Sequence, residues 1–114
     1  RAACRQIASQ AAADARSFAD VGYRIVCVAG VEGSPSCGVD RVPRLAGAGD
    51  CRLVPGMGIF VEELAKQLGA ASLDVPLLGI PESPRAGELA SALARLRALI
   101  RAAGSASRRA RLPC

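Results

Sequence analysis

The chain has 114 residues, enough for one domain near the lower end of what sustains its own core. Its hydrophobic content of 51% is supplied largely by alanine, aromatic residues make up 3%, and Trp and His are absent, which excludes the commonest general base and the commonest zinc ligand. The formal charge of +5 sits at the carboxyl end, because Arg95, Arg97, Arg101, Arg108, Arg109 and Arg111 follow Glu88 with no further acidic residue, leaving nine Lys+Arg against ten Asp+Glu before them.

Residues 2–20 read as a helix, with Ile7, Ala11, Ala15 and Phe18 at helical spacing on one stripe and Gly22 suited to a left-handed cap. A strand follows at once over 23–31, where Tyr23-Arg24-Ile25-Val26-Cys27-Val28-Ala29-Gly30-Val31 is rich in β-branched residues. Residues 32–56 hold five glycines and three prolines and read mainly as loop, with Val39–Val42 or Cys51–Val54 as a short strand. A second helix is expected from Ile59 to Leu68, buried through Phe60, Val61, Leu64, Ala65 and Leu68 and stopped by Gly69. The glycines of Gly56-Met57-Gly58 leave its first amides facing an anion or a cluster-bound ligand, and Glu62 and Glu63 complement its dipole.

Val75-Pro76-Leu77-Leu78-Gly79-Ile80 reads as a second strand, so that strand, helix and strand form a parallel βαβ unit. Pro81-Glu82-Ser83-Pro84 is a turn, and a last helix is expected over 85–103 with Leu89, Leu93, Leu96 and Ile100 on one face. The expected fold is α/β, a small parallel sheet flanked by helices in a three-layer, flavodoxin- or Rossmann-like arrangement. The domain covers 1–104, and 105–114 form a frayed basic tail. No aromatic residues accompany the arginines, so this tail reads as solvated and not as a nucleic-acid surface.

Five cysteines (Cys4, Cys27, Cys37, Cys51 and Cys114) are an odd number at irregular spacing, and no signal-peptide pattern or span-length apolar run is present. Free thiols in a reducing cytoplasm, without membrane association, are the expectation. The loop Gly33-Ser34-Pro35-Ser36-Cys37-Gly38 carries one of these thiols at the exit of the first strand. Carboxyl ends of strands are where open α/β sheets bind ligands. Glu32 and Asp40 flank the loop, either as solvated carboxylates or as acid/base groups.

Val31-Glu32-Gly33-Ser34-Pro35-Ser36-Cys37-Gly38-Val39, preceded by Gly22-Tyr23-Arg24, resembles the signature of thiouracil desulfidase-like proteins. Gly56-Met57-Gly58-Ile59-Phe60-Val61-Glu62-Glu63-Leu64 and Asp74-Val75-Pro76-Leu77-Leu78-Gly79-Ile80 fit the same family in the same order. The resemblance covers about residues 1–80. It implies a [4Fe–4S] cluster held by three cysteines, with one iron open to the sulfur of a thiolated small molecule such as a nucleobase, which is removed hydrolytically. Matched by position, it implies Cys37 as a metal ligand, Ser34 and Ser36 as catalytic residues, and Cys37, Gly38 and Gly58 around the cofactor. The family's other two ligands lie in upstream segments, which predicts an N-terminally truncated member, and neither Cys4 nor Cys51 matches the pattern of a replacement. The alternative reading is a non-catalytic α/β module that binds a small anion between the 33–38 loop and the helix start at 56–59. A redox thiol at Cys37 is a third.

Overall fold

The computed structural model of the chain describes residues 2–45, 47, 49, 51–82 and 87–111. In chain order the elements are α1 (Ala2–Asp20), β1 (Val28–Val31), β2 (Arg41–Leu45), β3 (Cys51–Pro55), α2 (Ile59–Ala70), β4 (Leu77–Ile80) and α3 (Glu88–Arg111). The protein is thus a small α/β structure with a two-stranded parallel sheet, β1 against β4, and a separate antiparallel pair, β2 against β3. The expected Cys114 tail and the Ser83-Pro84 part of the turn lie outside the described residues.

Helix α1 ends as its sequence requires. Gly22 takes a φ of +101°, and the amides of Gly22 and Tyr23 bond the carbonyls of Ala19 and Phe18 at 3.1 and 3.0 Å, a Schellman closure. Its buried face is rotated from the expected one. Ala8 and Ala12 are buried, whereas Ile7 and Phe18 are 59% and 54% exposed. The reason is the partner: Ala8 and Ala12, with Ala11 and Ala15 beside them, meet Leu64 and Leu68 of α2, and small side chains let the two helices approach closely. Phe18 turns outward and meets the Tyr23 ring edge-on at 5.6 Å.

Only the last four residues of the expected 23–31 strand pair. Val28↔Leu77 to Val31↔Ile80 form the parallel ladder, extended by bonds from Val28 N to the Pro76 carbonyl and from Glu32 N to the Ile80 carbonyl, both 2.9 Å. Pro76 has no N–H to continue the ladder upstream, and this ends the pairing. Leu78 on β4 is fully buried, and α3 packs against this strand.

The region read mainly as loop holds a β-hairpin, in register from Arg41↔Pro55 to Leu45↔Cys51, whose second strand covers the expected Cys51–Val54. Pro43 and Pro55 and the arginines at 41, 44 and 52 hide the strand pattern, since most of this pair is exposed and no buried alternation is imposed on it. Helix α2 runs past Gly69 to Ala70. Its terminator is Ser72, the one non-glycine residue with positive φ among the described residues, at +60°. The bonds from Ser72 N to the Gly69 carbonyl (3.0 Å) and Leu73 N to the Leu68 carbonyl (2.9 Å) close it. Glu63, expected near the helix start to complement its dipole, is buried, only 6% exposed.

Helix α3 continues through the stretch expected to fray. It turns Ala92 inward with Leu96, Leu99 and Ala103 half-buried, and leaves Leu89, Leu93 and Ile100 exposed. Among the described residues no helix is long and apolar enough to cross a membrane.

Candidate functional site

The site residues proposed from sequence converge at the carboxyl end of β1. Ser34 organises the loop with three bonds: its N–H donates to the Val31 carbonyl at 3.2 Å, its carbonyl accepts from Gly38 N at 3.0 Å, and its Oγ accepts from Cys37 N at 3.1 Å. Proline at 35 favours the extended residue before it, and the Ser34 hydroxyl supplies the turn bond that a bare backbone would leave unmade. Around this frame Ser34 Oγ lies 3.4 Å from Ser36 Oγ, and Ser36 Oγ lies 3.5 Å from Cys37 Sγ. The two hydroxyls and the thiol form one contiguous polar cluster, with Cys37 half-buried and Ser36 exposed.

The loop is seated on the start of α2. Pro35 O accepts from Ile59 N at 3.2 Å, and Ser36 O accepts from Phe60 N at 3.0 Å and Val61 N at 3.1 Å. Gly58 N donates to Gly38 O at 2.8 Å. These are the donors that a helix start otherwise leaves unsatisfied. The amides expected to face an anion are therefore consumed by the loop's own carbonyls, and the anion-binding alternative loses the donors on which it was built.

The same seating explains Gly58 and Gly38. A Cβ on Gly58 would run into the Ser36 carbonyl and stand 2.6 Å from Cys37 N, and a Cβ on Gly38 would run into the Arg41 carbonyl. Both glycines permit close backbone approach within the protein, so they shape the seat of Cys37.

The remaining thiols do not join it. Cys4 lies on α1, Cys27 precedes β1 and Cys51 is exposed at the start of β3; all four described cysteines are free. Among the described residues no group of three or more His, Cys, Asp or Glu side chains is placed to hold a metal ion. One thiol at this loop does not fit a cluster that needs three thiolates, so the residues described do not make the [4Fe–4S] site that the resemblance implies.

Glu32 is neither a solvated carboxylate nor a free acid/base group. Its Oε1 accepts from Val39 N at 2.7 Å and Asp40 N at 3.0 Å, and its Oε2 lies 3.2 Å from Asp40 N. Sequence reasoning misses this role because it depends on the loop's return path. Asp40 is exposed, and its carbonyl accepts from Gly56 N at 2.9 Å, which ties the hairpin to the loop.

A cleft of about 610 Å³ opens at the other end of the sheet, lined in part by Arg16, Tyr23, Arg24, Ser72, Asp74 and Leu99. It is walled by the segments that precede β1 and β4, so it does not include the Cys37 loop. Its Arg16 is engaged, bonding the Ala71 carbonyl at 3.1 Å and Asp20 at 2.7 Å. The Ser34–Ser36–Cys37 cluster and the cavity therefore lie at opposite ends of the strands, and the cluster marks the candidate site.

No protein-family model, no curated protein and no solved structure matches the chain. The desulfidase resemblance consequently rests on the residues that carry it.

Proposed function

We propose that this chain supplies the Cys37 arm of a desulfidase site acting on a thiolated small molecule. The reaction is hydrolysis of a thiocarbonyl group to a carbonyl group. Water adds to the thiocarbonyl carbon, the carbon–sulfur bond breaks, the water's oxygen stays on carbon, and sulfur leaves with both of its protons as hydrogen sulfide. The observation that carries the reading is the Ser34–Ser36–Cys37 cluster, seated on the α2 start at the carboxyl end of β1. A thiolate only accepts hydrogen bonds. With Cys37 ionised, Ser36 donates to Sγ and Ser34 donates to Ser36, so the two hydroxyls fix the direction of the sulfur.

The same reading takes the parallel β1–α2–β4 unit as part of a three-layer, flavodoxin-like sheet, and the reducing cytoplasm as the compartment in which the cysteines stay free. The test is sulfide release from 2-thiouracil under anaerobic conditions, with and without added iron and sulfide. Wild-type protein is expected to release sulfide, Cys37→Ser to release none, and Ser36→Ala to fall about tenfold or more. Equal release by wild type and Cys37→Ser, or none by wild type in either condition, sinks the reading.

A further inference from the structure

Glu32 begins the loop whose seventh and eighth following residues it holds. Its backbone is fixed at the sheet's end by the bond from its N–H to the Ile80 carbonyl at 2.9 Å. Its side chain turns back under the loop and accepts from Val39 N at 2.7 Å and Asp40 N at 3.0 Å. A second tie, from Gly33 N to the Arg41 carbonyl at 3.1 Å, lies beside it. Residues 33–38 are therefore a closed ring of chain with the Glu32 carboxylate as its clasp, and Cys37 rides on that ring.

The neighbouring strand is shaped for this carboxylate. A Cβ on Gly79 of β4 would stand 2.6 Å from Glu32 Oε2 and 2.7 Å from Cδ, closer than real Cβ contacts allow, and 3.0 Å from Cγ. Any side chain at 79 would force the carboxylate to shift from this position beside the two amides. A carboxylate accepting from backbone amides makes the stronger, charge-assisted class of hydrogen bond, and such a clasp orders what it closes.

We propose that Glu32 is a positioning residue for Cys37: the carboxylate clasp, given room by Gly79, holds the loop in the one path that places the thiol beside Ser36. The proposal rests on the reading of Cys37 as the reactive group. It gives Glu32 a role besides those of Ser34, Ser36 and Cys37, and a partner, Gly79, that lies 47 positions away in the chain.

The experiment uses the full chain with Glu32→Ala, Glu32→Gln and Gly79→Ala, and two readouts. One is amide hydrogen exchange at Val39 and Asp40, referenced to Leu64 and Leu68 in the core. The other is the rate of iodoacetamide alkylation at Cys37 relative to Cys51 of the same molecule. Glu32→Ala and Gly79→Ala are expected to lower protection at Val39 and Asp40 about tenfold, with core protection unchanged, and to shift the Cys37:Cys51 rate ratio about threefold or more. Glu32→Gln, whose Oε1 still accepts both amides, restores most of both signals. Retained protection in Glu32→Ala and Gly79→Ala overturns the clasp. Lost protection with an unchanged rate ratio overturns the positioning role. A shifted ratio in a protein that releases no sulfide from 2-thiouracil upholds the clasp and removes the desulfidase reading, so the two failures are distinguishable.

Discussion

Gly58 has its place for steric reasons alone. The helix α2 start and the Cys37 loop share four backbone bonds of 2.8–3.2 Å, and a Cβ at 58 would enter the Ser36 carbonyl that accepts two of them. Neither side can yield, because the contact is backbone to backbone. Gly58→Ala is therefore expected to destabilise the protein by about 2 kcal/mol or more, read from chemical denaturation, and to lower the protection of the Phe60 and Val61 amides. At this scale the site is only half legible in the sequence. The motif identifies the Ser34, Ser36 and Cys37 side chains, and the structure brings all three together. The role of Gly58 is not legible, because a glycine before a helix looks the same whether it admits a ligand or a neighbouring loop. Glu32 stays ambiguous because its partners are backbone amides, which every residue carries.

Elements are most legible where local chemistry decides them and least where a neighbour does. All three helices and both parallel strands lie where hydrophobic spacing puts them, and Gly22 caps α1 as expected. Helix α2 buries the face expected of it, through Val61, Leu64 and Leu68, but the faces that α1 and α3 bury are not legible from the larger apolar residues. In α1 the alanines win over Ile7 and Phe18, and in α3 the face with Ala92 and Leu99 wins over Leu89 and Ile100. Periodicity gives a wide apolar arc, and only the position of the partner selects the half of it that is covered. The strand at Cys51–Val54 is legible, but its pairing into a hairpin is not, because β2 and β3 are held by pairing with each other, with little burial to pattern them. Gly69 looks like the end of α2, yet Ser72 carries the left-handed turn at φ +60°. A non-glycine residue meets a steric penalty there. Ser72→Gly is thus expected to stabilise the protein by about 1 kcal/mol, measured as a higher denaturation midpoint with an unchanged slope.

The molecule as a whole is thinly packed. It exposes 7798 Å², whereas a compact chain of its mass exposes about 5,800 Å². Its principal extents are 61 × 37 × 14 Å. Eight apolar residues form the buried core among the described residues, and Leu78 and Val61 are the largest that are fully enclosed. Leu78 lies on the strand shared by the β1 ladder and the α3 contact, so its removal strikes two interfaces at once. Leu78→Ala is expected to cost about 3 kcal/mol, a large share of the stability so small a core provides, with loss of the cooperative thermal transition as the readout. What the sequence by itself determined is the set of helices, the parallel βαβ order and the polar cluster of the Cys37 loop, because residue spacing, caps and short-range hydrogen bonds act within a few positions of chain. Tertiary structure alone decided the buried faces of α1 and α3, the consumption of the α2 amides by Pro35 and Ser36, and the meeting of Glu32 with Gly79. Each of these depends on which distant backbone comes to lie alongside, and close approach leaves no mark in the sequence beyond the absence of a side chain.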